Sequence, residues 1–104
     1  MDIRDMVANA RAFNSKIISV PRLLILASLE PTGEDGAAYR ELKAVLEMDD
    51  GLLYSNLDAL KEMGYVKQKE IKLENREMTS YHITGEGKGA FNDARVWLRK
   101  ICER

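Results

Sequence analysis

The chain has 104 residues, of which 45% are hydrophobic and 32% charged, and its formal net charge at pH 7 is −1. That length holds one domain with a small core. Near-neutrality excludes the strongly basic class of nucleic-acid binders, so a cationic surface has to arise from where charges are placed. The single cysteine, Cys102, excludes an intramolecular disulfide and a cysteine zinc cluster, and a reducing cytoplasm is the expected setting. The longest apolar run, Leu23–Leu29, is broken by Ser28 and is too short to span a bilayer. The opening MDIRDM carries acids and no apolar signal region. No membrane partner is expected.

In chain order, residues 2–13 place Ile3, Met6, Ala10 and Phe13 at spacings of three and four, a narrow stripe on a helix of about three turns. Asn14 and Ser15 end or bend it. Pro21 suits the first turn of a second helix, with Ser19 or Val20 before it. Beyond Arg22 that helix, PRLLILASL, is nearly all apolar, as for a helix buried on most sides. Pro31, Thr32, Gly33, Asp35 and Gly36 make a turn-rich loop. A third helix runs from Ala38 to Met48 through Tyr39, Leu42, Val45 and Leu46, and Asp49–Gly51 is a tight connection. The fourth helix, Leu52–Met63, carries Leu53, Leu57 and Leu60 at i, i+4, i+7. Asp49 or Asp50 is its N-cap, and Gly64 closes it through a left-handed residue. Two strands follow, at 65–73 and 78–84, around a tip of Glu74, Asn75 and Arg76. Thr84 caps a last helix through Arg104, striped by Phe91, Ala94, Leu98 and Ile101 and widened by Trp97 and Cys102. There are no repeats and no low-complexity tract.

Helix, turn, helix and then hairpin is the order of a winged helix-turn-helix. The expected class is therefore mainly α with a small β-hairpin (α+β). It divides into an N-terminal helix (1–17), a winged-helix core (18–84) and a C-terminal helix (85–104). Such a unit presents its second helix to the DNA major groove. Residues RLLILASL, YRELKAVLEMDDGLLYSNLDALKEMGYVKQKE and YHITGEGKGAF resemble the winged-helix regulators related to the multiple-antibiotic-resistance and arsenical-resistance repressor groups, in their short archaeal and bacterial form. The matching elements fall on Arg22–Leu26, Leu42–Leu46, Leu53–Val66 and Tyr81–Gly87. The resemblance covers roughly residues 18–92 and rests on the order and spacing of loose motifs. It implies a dimeric transcriptional repressor that binds double-stranded DNA, with no catalytic activity.

On the fourth helix, the face left free by the leucines carries Gly51, Leu52 and Ser55, flanked by Tyr54 and Asn56. Asn can pair with adenine, Ser with either base type, and an apolar side chain with a thymine methyl. Asp58 on that face opposes phosphate, and no arginine is there to read guanine. In the hairpin, Lys67, Lys69 and the tip residue Arg76 are candidates to neutralise phosphates; Lys67 and Lys69 share one strand face with Ile71 and Leu73. Arg22 either reaches a phosphate or pairs with an acid such as Glu30. Arg40 and Lys43 lie on the polar side of the third helix.

His82 has no histidine or cysteine companion at ligand spacing, so no metal is expected, and the residue is placed on the solvent side of its strand. No nucleophilic motif is present. Gly85, Gly87 and Gly89 fit neither phosphate-loop spacing nor a βαβ context, and are read as easing the turn into the last helix. No cofactor is expected. The terminal stripes, Ile3, Met6, Ala10 and Phe13 with Phe91, Ala94, Trp97, Leu98 and Ile101, predict a two-fold homodimer. Two further readings stay open: a winged helix used as a protein-interaction module, and a small-molecule effector pocket near Phe13 or Trp97.

Overall fold

The computed structural model describes residues 2–11 and 13–103, with Leu73 described by its backbone alone. The expected helix positions at Ala12 and Arg104 lie outside the described residues. The elements run α1 (Ile3–Ala10), α2 (Val20–Leu29), β1 (Ala37–Ala38), α3 (Tyr39–Leu46), α4 (Asp50–Glu62), β2 (Val66–Leu73), β3 (Arg76–Ile83) and α5 (Gly85–Cys102). Short 3₁₀ turns at Ser15–Ile17 and Glu30–Thr32 bracket α2.

Local chemistry sets the helix starts. The side chains of Asp2, Ser19, Asp49 and Thr84 each accept a backbone N–H at the head of α1, α2, α4 and α5, which satisfies donors that a helix cannot pair internally. Pro21 sits in the first turn of α2 as the sequence suggested. Thr84 also donates to the Gly64 carbonyl at 2.6 Å, joining the end of α4 to the start of α5. Gly64 has φ +81°, the left-handed closure expected of it.

The hairpin turn is tighter than the sequence suggested. Leu73 pairs with Arg76, leaving only Glu74 and Asn75 as the loop. Both have positive φ, +52° and +64°, the mark of a type I′ turn whose twist matches the flanking strands. Arg76 is thus the first residue of β3. The two-residue strand β1 was not legible in the sequence. It pairs antiparallel with β3 to give the order β1-β3-β2.

The core gathers Ile25, Leu26 and Leu29 of α2, Leu42 of α3, Leu53, Leu57 and Leu60 of α4, Val66, Tyr81 and Ile83 of the sheet, and Phe91 and Ala94 of α5. Three expectations are corrected here. Helix α2 is buried on one side only, with Val20 and Leu24 exposed; Val45 of α3 is 73% exposed. The terminal stripes are partly used within the chain: Met6, Phe91 and Ala94 are buried, Trp97 Nε1 donates to the Met6 carbonyl at 2.8 Å, and Phe13 meets the Trp97 ring at 5.7 Å. The outer sides of α1 and α5 stay apolar and open, at Ile3, Val7 and Val96. The radius of gyration is 15.2 Å and the long axis 56 Å, extended against the roughly 13 Å of a compact chain of this size.

Candidate nucleic-acid interface

Helix α4 is held by its N-terminal end. Asp49 caps it through the Leu52 N–H at 2.8 Å. Asp50, one residue on, accepts from the Tyr39 hydroxyl and pairs with Lys43 Nζ at 3.0 Å. Those two contacts, the tyrosine hydroxyl first, hold the Asp50 carboxyl below the usual carboxylate range. Burial first, and then the bond to Asp50, push the Tyr39 phenol up. The Tyr39 ring stacks on Tyr54 with centroids 4.3 Å apart and planes 14° apart. The two helices of the helix-turn-helix are therefore locked at one corner, and Tyr54 is fixed there while remaining 47% exposed.

Beside that corner lies a groove of about 420 Å³, lined by Tyr39, Arg40, Tyr54, Arg76 and Met78 among others. Helix α3 supplies Arg40, α4 supplies Tyr54, and the outer half of β3 supplies Arg76, on the sheet edge that β1 is too short to cover. Gly51, Leu52 and Ser55 are exposed on the same turn of α4 as Tyr54. This brings together Arg40, Gly51, Leu52, Tyr54, Ser55 and Arg76 of the expected contact residues.

It does not bring in the others. Asn56, expected on the free face, is only 9% exposed. Its Oδ1 accepts from Arg22 Nε at 3.0 Å, and its Nδ2 donates to the Leu52 carbonyl at 2.8 Å. Arg22 donates again, to the Lys16 carbonyl at 2.7 Å. Neither side chain is turned to a ligand: Arg22 joins α2 to α4, and its expected acid Glu30 pairs instead with Arg95 at 3.3 Å. Lys67 and Lys69 leave the groove as well. They lie toward the base of the hairpin, opposite His82 and Ser80. Arg76 and His82 are six residues apart on β3, about 20 Å at strand rise. Tyr39, which the sequence placed on the third helix without a contact role, is a further contributor. Its place at the first turn of α3, directly after β1, is set by tertiary pairing.

His82 is the other correction. It is 4% exposed, because the loop after α2 folds over the second face of β3. A Cβ at Gly36, which has φ +67°, would collide with His82 and the Tyr81 carbonyl. His82 Nε2 lies 2.8 Å from Ser80 Oγ. Burial first, then the charge of Lys69 and more weakly that of Lys67, lower the His82 pKa below its ordinary value, against upward pulls from the Glu34 backbone and the Asp35 charge. Gly87 has a structural task beyond easing a turn, since a Cβ there would strike the Tyr65 carbonyl. No cluster of metal-ligating side chains occurs among the described residues.

Two helices joined by a three-residue turn, a two-stranded wing and a cationic, aromatic groove between them define a winged helix-turn-helix. The family model described as winged helix DNA-binding domain matches residues 21–102, and the chain belongs to that family. It is 36% identical over 75 residues to an uncharacterized protein of Methanocaldococcus jannaschii, an alignment covering 72% of this chain and 79% of that one. Among solved structures it resembles a transcriptional regulator homologue from Pyrococcus horikoshii OT3, with TM-score 0.76 and 22% identity over 97% of this chain and 93% of that one. A MarR-family regulator from Rhodococcus sp. RHA1 matches with TM-score 0.67 and 22% identity, over 94% of this chain and 70% of that one. At these identities the two structures speak for the fold. No helix among the described residues is long and apolar enough to cross a membrane.

Proposed function

We propose that the protein is a cytoplasmic, dimeric transcriptional repressor that recognises a specific double-stranded DNA site. The observation that carries this is the groove between α4 and the wing, where Arg40 and Arg76 flank the fixed ring of Tyr54. Recognition-helix residues near the N-terminus of α4 approach base edges in such a unit, and the helix dipole favours phosphate there. With Asn56 engaged inside, Ser55, Leu52 and Tyr54 are left as the base-facing set. Ser can accept or donate to either base type, and Leu52 suits a thymine methyl. Arg40 and Arg76 are assigned to the flanking phosphates.

The dimer is supported by the extended protomer and by Ile3, Val7 and Val96 on the open sides of α1 and α5. Paired through these helices, two copies would present two α4 helices to half-sites about one DNA turn apart.

The test is selection of bound duplexes from a random pool, followed by titration of the selected site. Arg40→Ala and Arg76→Ala are each expected to weaken all sequences alike, while Ser55→Ala relaxes preference at one position. A pool that returns no enriched sequence would sink the proposal. It would favour a protein-interaction module instead, for which exposed Val45, Leu52 and Tyr54 would be the contact surface.

A further inference from the structure

Lys67 and Lys69 have no role in the groove, and the structure gives them a different neighbourhood. A second cavity, of about 520 Å³, is lined by Lys67 and Lys69 of β2, His82 of β3, Lys88 of the first turn of α5, and Glu34 and Asp35 of the loop after α2. It shares no residue with the groove. Among the described residues, none of the three lysines is in an ion pair, although two acids stand on the same rim. His82 lines the cavity and is 4% exposed, with its Nε2 on Ser80 Oγ and its Nδ1 beside the Gly36 backbone. Three lysines against two carboxylates leave the cavity lining with a net positive charge, which favours a seated anion.

We infer that this cavity is a binding site for a small phosphoryl-type oxyanion, held by Lys67, Lys69 and Lys88 above His82. A compact anion fits better than a DNA strand for two reasons. The cavity is a recess under a loop toward the base of the sheet, about 20 Å along β3 from Arg76. The carboxylates of Glu34 and Asp35 stand on the rim that an extended polyanion would have to cross.

The test is a titration of the full-length chain with inorganic phosphate, read on the ring resonances of His82, the only histidine in the sequence. Sodium chloride at matched ionic strength is the reference. A saturable His82 shift with phosphate is expected, weakened at least tenfold in the Lys67→Gln, Lys69→Gln double variant and unchanged in Arg76→Gln. Circular dichroism checks that the variants remain folded. No saturable shift, or a shift that survives the double variant, overturns the site. The titration contains no DNA, so its result is independent of the groove. In a second arm, the selected duplex is added: joint occupancy supports a separate site, whereas displacement of phosphate by the duplex assigns these lysines to the DNA surface and overturns the inference.

Discussion

Replacing Asn56 by Ala discriminates sharply between a base-reading residue and a structural one. The change removes the acceptor for Arg22 Nε and the amide that bonds the Leu52 carbonyl, at 3.0 and 2.8 Å. A neutral hydrogen bond contributes about 1 kcal/mol net and one to a charged group about 1.5–3. Arg22 keeps its bond to Lys16, and Ala gains up to about 0.7 kcal/mol in helix propensity. The expected loss is therefore about 2 kcal/mol, which lowers Tm by roughly 10 °C in a domain of this size. Asn56→Asp keeps the acceptor for Arg22 but faces an oxygen toward the Leu52 carbonyl, and should fall between. Thermal unfolding followed by circular dichroism measures both. Binding to the selected duplex, corrected for the folded fraction, should keep its sequence preference. An Asn56→Ala protein that melts within about 2 °C of the parent, yet loses discrimination at one base pair, would refute the structural role and restore direct readout.

Three further outcomes follow from the same structure. Glu47 ends α3 in the left-handed region at φ +53°, ψ +39°; Glu47→Gly should raise stability by about 0.5–1 kcal/mol, and a lower urea midpoint would contradict this. The dimer should scatter light as about twice the 11.8 kDa chain, and Val7→Glu with Val96→Glu should return it to one chain; a monomeric parent ends the dimer proposal. His82 is lowered in the fold below the roughly 6.5 of an unfolded chain. Unfolding then takes up a proton just below pH 6.5, so stability is full above that value. It falls as pH drops through the window and levels off below the folded pKa. His82→Gln should remove that slope between pH 7 and 5, and a slope unchanged in the variant assigns it elsewhere.

Much of this fold is written locally. The leucine period of α4, its aspartate cap and the glycine at its end are short-range signals, and each is found where the sequence places it. What was not legible is set by partners far along the chain. Tyr81, His82 and Ile83 are buried in succession. No alternating pattern predicts that, because one face of β3 meets the core and the other meets the 33–36 loop. Asn56 is buried because Arg22, 34 residues earlier, reaches it. The apolar stripes of α1 and α5 looked like surface for a partner, but Phe91 and Ala94 join the core and Trp97 packs against Met6 and Phe13 within the chain. The groove was half legible: Tyr54, Arg40 and Arg76 carry suitable chemistry, but only the sheet register shows that Lys67 and Lys69 are not beside them.

A net charge of −1 carries little information on its own, because several cations are neutralised where they stand. Lys43 is held by Asp50, Lys61 by Asp58 and Arg95 by Glu30, while Arg22 is fastened to Asn56. Arg40 and Arg76 face the groove, and Lys67, Lys69 and Lys88 face the second cavity. The salt dependence of DNA binding separates these groups. Two arginines per protomer, four in a dimer, give a slope of log affinity against log salt of about −3.6 at 0.9 per phosphate contact. Adding Lys67 and Lys69 doubles the contacts and takes the slope to about −7. Titrations between 50 and 200 mM salt resolve that difference, since affinity would fall roughly 150-fold in the first case and more than ten-thousandfold in the second. The shallow slope is expected. A slope near −7 that drops by half in the Lys67→Gln, Lys69→Gln variant would place the lysines on phosphates after all.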